Sequence, residues 1–299
     1  MYNFIFACYV DLEKEFAMLS SLVKSVRQFT YPVNNLPFIA AMDETQRDLL
    51  SPAQQEMIKS YDVTVEWMTI PQKYQAIPYF EKTLAAGEIE HRYLTKCKRI
   101  IWMDVDSLFF QFSDELLNLN KPIACRPVDL KNISCLYNEP LDSFWQEIYG
   151  NCSVRTENLF KLVTTVDEKE IYSQFNAGLL IVEPRYQVLG LWKDYFENCV
   201  LNHEWQKYNA QDKLYQIFIH QAFLNVAISS IFTKEDIHLL DYRVNYSLAN
   251  HYRYPLQKKV ESLDNLVSVR LDNYLTTGNF SEFTMKDELR SWLTENVMK

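Results

Sequence analysis

Apolar and polar positions along the first 120 residues predict strands and helices in turn. Residues 2–10 form an apolar run typical of a strand, and residues 36–42 and 63–67 predict two further strands. A helix is predicted over residues 45–60. The apolar positions between the first two strands recur at helical spacing, at Phe16, Leu19, Leu22, Val23, Val26 and Phe29. This alternation is typical of a mainly parallel sheet with helices on both faces.

One predicted strand, at residues 99–103, is followed directly by Asp104, Val105 and Asp106. Its continuous apolar run predicts a central strand that is covered on both faces. A helix over residues 79–89 precedes it. Because ligands of open α/β sheets bind beyond the carboxyl ends of the strands, we expect the acidic triplet at a binding site.

The second half of the chain predicts a less regular set of elements. Strands are predicted at residues 122–126, 177–183, 237–240 and 266–271, and helices at residues 189–202, 211–232 and 285–297. No internal repeat, low-complexity tract or linker separates them. We therefore expect a single α/β domain, 1–299, in which a nucleotide-binding half (1–120) and a sugar and acceptor half (121–299) share one sheet. The second half carries a C-terminal extension.

Charge and the N-terminus narrow the possible partners and the location. The net charge of −9 and the pI near 5.2 would repel a phosphate backbone, which excludes nucleic acid as a partner. Residues 2–10 are too short for a signal core and are followed by Asp11, Glu13 and Glu15. No run reaches the roughly 18 apolar residues of a membrane span. These features predict a cytoplasmic protein without a transmembrane segment.

The five glycines of the chain argue against several classes of enzyme. The sequence contains no G-x-G-x-x-G or G-x-x-x-x-G-K-[ST] phosphate loop, no G-x-S-x-G elbow and no H-E-x-x-H helix. A phosphate-bearing ligand would therefore need a cation to neutralise it. Asp104 and Asp106 are spaced to point to the same side of a strand end, where their oxygens suit Mg²⁺ or Mn²⁺.

Three segments follow one another in a fixed order along the chain. The first is the apolar strand that ends in Asp104-Val105-Asp106, the second is Phe175-Asn176-Ala177-Gly178, and the third is His220-Gln221-Ala222-Phe223-Leu224-Asn225. Together they resemble glycosyltransferases of the GT-A fold, and family 8 in particular. The third segment is similar to that family's D-Q-D-x-L-N helix, with both acids replaced. The resemblance runs from the first strand to Asn225, and more faintly to Asn245.

The resemblance implies a Rossmann-like mixed sheet and a metal-dependent transferase. Its donor would be a nucleotide diphosphate sugar, expected to be a UDP-hexose, and the sugar would pass with retention to a hydroxyl of a saccharide or another acceptor. Asp104 and Asp106 would hold the cation, and Asp106 and Gln221 would be the catalytic residues. Gln221 would stabilise oxocarbenium-like charge beneath the reacting sugar. The donor-binding residues implied are Cys8, Lys82, Asp104, Val105, Asp106, Asn176, Ala177, Gly178, His220 and Gln221.

The C-terminal part departs from the family pattern. The family closes its metal site with a histidine in an H-x-x-G-x-K-P-W segment, whereas residues 266–273 here contain neither that histidine nor Lys-Pro-Trp. Arg270 falls near the expected histidine position. Asp272 is a candidate third metal ligand, beside the alternative of two carboxylates completed by phosphates and water.

Other functions and acceptor contacts stay open at this point. An apolar strand followed by Asp-x-Asp also describes phosphohydrolases of the haloacid dehalogenase type, although their motif opens the domain. A transferase-like protein that only binds its ligand is the other alternative. Trp145, Trp192 and Trp205 are either core residues or platforms for acceptor sugars. The basic cluster Arg253, Lys258 and Lys259 suits an anionic lipid-linked saccharide and peripheral contact with a membrane.

Overall fold

The computed structural model describes residues 1–154, 156–201, 203–272, 274 and 280–298. The strands, numbered along the chain, are β1 (Tyr2–Tyr9), β2 (Phe38–Asp43), β3 (Val63–Met68), β4 (Cys97–Met103), β5 (Ser107–Phe109), β6 (Ile123–Pro127), β7 (Lys161–Val163), β8 (Glu170–Tyr172), β9 (Phe175–Val182), β10 (Ile237–Leu239), β11 (Tyr246–Ser247) and β12 (Ser268–Arg270). Seven of them form the central sheet in the order β10-β6-β9-β4-β1-β2-β3. The predicted mixed, mainly parallel sheet is confirmed.

The α-helices of the described residues are α1 (Leu12–Phe29), α2 (Pro52–Ser60), α3 (Phe80–Tyr93), α4 (Asp114–Leu117), α5 (Ser143–Asn151), α6 (Val188–Val200), α7 (His203–Gln211), α8 (Lys213–Ile231) and α9 (Asp287–Asn296). One long helix over residues 45–60 is a wrong prediction. The chain instead forms a 3₁₀ turn, Glu44–Leu49, and then α2. Ser51 and Gln54 exchange hydrogen bonds in a capping box, and Pro52 follows at the first helical position, so a new helix starts there.

The strand β9 determines where the two halves of the chain meet. All eight of its residues are buried, and it pairs antiparallel with both β4 and β6, whereas β1 is parallel to β2 and β4. Met103 lies opposite Leu179 in this pairing. The carboxyl end of β4 therefore lies beside the amino end of β9, and the two segments that resemble transferase motifs are neighbours in space.

Helices cover both faces of the sheet. One face packs against α3, α6 and α8, and the other packs against α1. The small sheet β11-β12-β5 and α9 form a third apolar cluster, into which α9 inserts Leu289 and Leu293. The helix α8 is long and apolar enough to cross a membrane by length and composition alone. However, 56% of its most apolar 18-residue stretch is buried inside the fold.

The three tryptophans considered as acceptor platforms are core residues. Trp145 and Trp192 are 0% exposed and Trp205 is 1% exposed. Their indole rings pack among α5, α6, α7 and α8. We therefore rule out sugar stacking on these three residues in the present conformation.

A buried glutamate joins two of the covering helices. The Oε2 atom of Glu90, in α3, accepts a hydrogen bond from the amide of Gly190 at 2.7 Å, at the start of α6, where no side chain of the local chain caps the helix. Its Oε1 atom has no hydrogen-bond partner among the described residues. Burial raises the pKa of Glu90 from 4.5 to about 8, against the lowering effect of the α6 amides.

We expect this glutamate to make the protein less stable as the pH rises. A carboxyl whose pKa is higher in the folded state binds its proton more tightly there, so the free energy of unfolding should fall between pH 4.5 and about 8. Glu90→Gln keeps the acceptor oxygen and removes the charge. At pH 9 the free energy of unfolding of the variant should exceed that of the wild type by on the order of a few kcal/mol, and at pH 5 the two free energies should be similar. Denaturant titrations at both pH values measure this, and parallel pH profiles would contradict it.

Candidate functional site

A cleft of about 790 Å³ opens at the carboxyl ends of β1 and β4. Most of the residues predicted to bind the donor line it, together with Arg270: Lys82, Asp104, Val105, Asp106, Asn176, Ala177, Gly178, His220 and Gln221, and also the candidate ligand Asp272. Residues that are distant in sequence thus meet at the edge that the topology of an α/β sheet favours for ligands.

The predicted donor residue Cys8 lies outside this lining. Its side chain is fully buried in β1 within the cluster that packs on α1. Burial, reinforced by nearby Glu15 and Asp104, raises the pKa of its thiol well above the ordinary value. Cys8 therefore serves as a neutral core residue beneath the cleft.

The backbone of Gly178 brings Asp104 and Asn176 together. The amide of Asp104 donates to the carbonyl of Gly178 at 2.9 Å, and the amide of Gly178 donates to Oδ1 of Asn176 at 2.7 Å. Asn245 donates to the same Asn176 oxygen at 3.3 Å. A Cβ atom at Gly178 would lie 2.8 Å from Asn176 Oδ1, 3.0 Å from Asn245 Nδ2 and 3.1 Å from Asp104 Oδ2. A side chain at this position would therefore displace at least one of these three polar groups.

The two carboxylates of the acidic triplet have different surroundings. Asp104 forms an ion pair through Oδ1 with Lys82, which α3 holds at the cleft. Asp106 accepts a hydrogen bond at Oδ2 from the amide of Asp272 at 2.8 Å. Burial raises the pKa of Asp106 to about 7, with a further contribution from Asp104 and opposition from Arg270. The cleft therefore concentrates negative charge that a bound cation would balance.

Arg270 lies between two carboxylates at the cleft wall. Its Nε atom donates to Oδ1 of Asp272 at 2.7 Å, and its Nη2 atom donates to Oδ2 of Asp129 at 3.1 Å. Asp129 is itself paired with the buried Arg126. Burial alone would lower the pKa of Arg270, but Asp129 and Asp272 outweigh it and raise that pKa, so Arg270 remains a cation. The sequence contains no motif that would have singled out Asp129.

Asp272 is already occupied on both of its oxygens. Oδ1 accepts from Arg270, and Oδ2 accepts from the hydroxyl of Ser247 at 2.9 Å. Its backbone has a φ of 49°, a left-handed conformation that asparagine and aspartate adopt more easily than most residues. In this arrangement Asp272 faces Arg270, and its role as a metal ligand stays a prediction.

Two amide side chains of α8 fix the helix to β9. Oδ1 of Asn225 accepts from the amide of Phe175 at 2.6 Å, and Oε1 of Gln221 accepts from the amide of Ala177 at 3.1 Å. Asn225 is 0% exposed, whereas Gln221 reaches the cleft. Asn225 is therefore an anchor, and Gln221 presents a fixed amide group to the ligand space.

His220 is a neutral, covered residue at the cleft. Burial, together with the nearby ammonium of Lys82, lowers its pKa well below the ordinary value. The ring of Tyr79 stacks on it, with centroids 4.1 Å apart. Nδ1 of His220 has no hydrogen-bond partner among the described residues. Tyr79 has a φ of 63°, unusual for an aromatic residue, and sequence patterns did not single it out.

The site fits a divalent cation through two of its carboxylates. In the part of the chain that the structure describes, no group of three His, Cys, Asp or Glu side chains is arranged to hold a metal ion. Asp104 and Asp106 nevertheless supply hard oxygen ligands, and Oδ2 of Asp104 and Oδ1 of Asp106 accept no hydrogen bond from the described residues. Phosphate oxygens of a ligand, water or a rearranged Asp272 would have to complete the coordination.

Comparisons with known proteins bear on the fold and on the family of the chain. No curated protein matches the chain. A glutamine-to-glutamate active-site mutant of LgtC gives a TM-score of 0.51 at 14% identity, over 90% of this chain and 86% of that one. Galactosyltransferase LgtC in complex with donor and acceptor sugar analogues gives 0.48 at 15% identity, with the same coverage. Core-mannan synthase A from Aspergillus fumigatus, in its Mn/GDP form, gives 0.44 at 12% identity, over 80% of this chain and 73% of that one.

The similarity to the LgtC mutant confirms the predicted GT-A-type fold, whereas the assignment to family 8 remains a resemblance. A family model described as the Rhodobacterales glycosyltransferase domain matches residues 12–231, which include all three motif segments. This range is well over half of the chain. The chain belongs to the Rhodobacterales glycosyltransferase domain family, and it is a glycosyltransferase with a GT-A-type fold.

Proposed function

We propose that the protein transfers a hexose-type sugar from a nucleotide diphosphate, expected to be UDP, to a hydroxyl of a saccharide acceptor with retention. The observation that carries this proposal is the meeting of three motif segments in one cleft. The hydrogen bond from Asp104 to Gly178 joins the first to the second, and the bond from Ala177 to Gln221 joins the second to the third. A shared ligand would explain why these polar groups converge.

In this proposal the cationic and anionic groups of the cleft bind the diphosphate. A Mn²⁺ or Mg²⁺ ion held by Asp104 and Asp106 would neutralise the phosphates and stabilise the departing diphosphate. Lys82 and Arg270 add two protein cations at the same place. Arg270 presents a planar guanidinium, which suits two phosphate oxygens at once.

The proposed donor sugar lies between Asn176-Ala177-Gly178 and Gln221. The oxygen of Gln221 already holds the amide of Ala177, which fixes the orientation of the side chain. A carbonyl oxygen has a second lone pair, and we assign to it the stabilisation of positive charge at the anomeric carbon. The departing phosphate oxygen takes the proton of the acceptor hydroxyl, so transfer with retention needs no covalent intermediate. His220 and Tyr79 form the neighbouring wall.

Replacement of Gln221 should affect turnover more than donor binding. In Gln221→Ala we expect kcat to fall by about two orders of magnitude while KM for the UDP-sugar changes little, because charge stabilisation is lost only in the transition state. Gln221→Glu keeps the acceptor for the Ala177 amide and shows whether that bond alone suffices. Steady-state kinetics measure both variants. Equal losses in kcat and in UDP affinity would assign Gln221 a structural role instead.

A panel of UDP-sugars with Mn²⁺ tests the proposed activity directly. A transferase should hydrolyse its own donor slowly in the absence of acceptor and should bind UDP more tightly with Mn²⁺ present. A protein that only binds its ligand would bind UDP without turnover. This alternative is tested because both carboxylate oxygens of Asp272, the candidate third metal ligand, accept hydrogen bonds from other residues. A phosphohydrolase would cleave p-nitrophenyl phosphate and leave the UDP-sugars intact. The last two outcomes would each overturn the proposal.

The proposal includes a cytoplasmic location and an acceptor that is either a free or a lipid-linked saccharide. The segment next to the cleft residue Asn250 exposes Tyr252 by 66% and Leu256 by 90%. Arg253 and Lys259 lie beside them, and Lys259 covers the ring of Tyr252. Exposed apolar and basic residues together suit peripheral contact with an anionic membrane surface.

A further inference from the structure

Arg270 is hydrogen-bonded to Asp272, the candidate third metal ligand. It pairs through Nε with Asp272 Oδ1, while its Nη2 atom pairs with Asp129. The backbone amide of Asp272 donates a hydrogen bond to Oδ2 of Asp106. This bond holds the two acidic residues next to each other, and Arg270 takes no part in it. Movement of Arg270 away from Asp272 would therefore not itself break that bond.

We propose that Arg270 exchanges partners when the donor binds: its guanidinium leaves Asp272 for the diphosphate, and Asp272 Oδ1 becomes the third protein ligand of the divalent cation. This inference rests on the proposed function, and it explains how a site with two free carboxylate oxygens gains a further one. Ser247 keeps the other oxygen of Asp272 in place. Arg270 is thus a positioning residue for the metal and a binding residue for the diphosphate.

Arg270 keeps one of its two carboxylate partners, Asp129, in the proposed exchange. Asp129 is 6% exposed and is held by the buried Arg126, so it anchors the far side of the guanidinium. Of the two hydrogen bonds that the guanidinium donates to carboxylates, the proposed exchange breaks the one to Asp272 and keeps the one to Asp129. A diphosphate would replace the lost carboxylate as the anionic partner, and arginine can donate two parallel hydrogen bonds to its phosphate oxygens. Each ligand then prepares the site for the other, because the nucleotide removes the guanidinium that competes with the cation for Asp272.

The exchange predicts thermodynamic coupling between Mn²⁺ and UDP. Coupling of this kind amounts to about 5- to 150-fold in affinity, and it must be the same in both directions. Isothermal titration calorimetry of the wild type should show weak Mn²⁺ binding alone and tightening by such a factor when UDP is present. Arg270→Gln should bind Mn²⁺ alone more tightly than the wild type and UDP more weakly, with the coupling reduced several-fold.

A double variant separates partner exchange from a general effect of charge. If Arg270→Gln acts by freeing Asp272, its gain in Mn²⁺ affinity should disappear in Arg270→Gln with Asp272→Asn. A gain that persists in the double variant would overturn the exchange, because loss of any nearby cation would then explain it. Arg243→Gln is the matched control, since Arg243 pairs with Asp241 at an exposed position outside the cleft lining. It should leave Mn²⁺ affinity unchanged.

The remaining outcomes distinguish this inference from the proposed function. Unchanged Mn²⁺ affinity and unchanged coupling in Arg270→Gln, with metal-dependent UDP binding intact in the wild type, would overturn the exchange and leave the transferase proposal standing. A wild-type protein that binds neither Mn²⁺ nor UDP would overturn both. Thermal denaturation of each variant without ligand shows whether it is folded before its affinities are compared.

Discussion

Asp106→Asn is expected to abolish Mn²⁺-dependent binding of UDP and to lower sugar transfer by about 100- to 1,000-fold. The proposed cation depends on the charge of this carboxylate, and the stabilisation of a departing diphosphate is worth several kcal/mol. Asparagine has nearly the same shape and retains an oxygen that can accept the bond from the amide of Asp272. The measurements are calorimetric titration of UDP with and without Mn²⁺, and turnover of the identified donor.

The variant should stay folded, which makes the loss of binding interpretable. Asp106 lies close to Asp104 and Asp272, and burial raises its pKa to about 7, so removal of its charge from the free protein relieves repulsion. We expect a melting temperature equal to that of the wild type or higher. Asp48→Asn, at an exposed position in a 3₁₀ turn, serves as a control that should change nothing. Unchanged metal-dependent UDP binding in Asp106→Asn would refute the metal site.

The sequence was most informative where hydrophobic periodicity and topology act together. The strand and helix pattern of the first 120 residues predicted β1 to β4 and the edge at which Asp104 and Asp106 lie. Gln221 and Asn225 are spaced by one helical turn, so both point towards β9 from α8. Order along the chain identified the three motif segments, and the pairing of β9 with β4 and the packing of α8 on β9 bring them to one site.

Long-range choices were beyond what local patterns can predict. The strand at residues 177–183 was expected, but its antiparallel placement between β4 and β6 depends on pairing between residues that are 48 to 82 positions apart. The partners of Arg270 come from a loop after β6 and from the residues after β12, which no short motif connects. Tyr79 adopts a left-handed backbone conformation that its residue type disfavours, so tertiary contacts with His220 decide its position.

Burial corrected predictions about individual side chains: the resemblance implied that Cys8 binds the donor, and residue type alone made the tryptophans candidate acceptor platforms. Cys8 is close to the acidic triplet in the fold, yet its side chain points into the core because alternate residues of a strand face opposite sides of the sheet. The tryptophans are core residues for a similar reason: Trp145 in α5, Trp192 in α6 and Trp205 in α7 all face the apolar interior. Residue type or motif position is therefore a weak guide to ligand binding until it is known which face of the strand or helix carries the side chain.

Gly178→Ala is the second substitution for which we expect a large effect. The added Cβ would approach Asn176 Oδ1 to 2.8 Å, Asn245 Nδ2 to 3.0 Å and Asp104 Oδ2 to 3.1 Å. Since β9 is buried between β4 and β6, the backbone has little room to withdraw, and the polar side chains must move. Displacements of this kind in a catalytic site cost about 100-fold in rate, and crowding should lower stability by about 1–3 kcal/mol.

Gly150→Ala is the matched control for the added methyl group. Gly150 lies in α5, and a Cβ there would meet no other atom within 4 Å. Alanine is a better helix former than glycine, so this variant should be more stable by about 0.5–1 kcal/mol, with normal turnover. UDP affinity, turnover and denaturant midpoints of both variants can be compared directly.

A Gly178→Ala protein that binds UDP and transfers sugar like the wild type would mean that the donor site does not depend on the close approach of Asp104, Asn176 and Asn245. Loss of binding in Gly178→Ala alone would establish that the empty space at this glycine is what allows the first two motif segments to form one site.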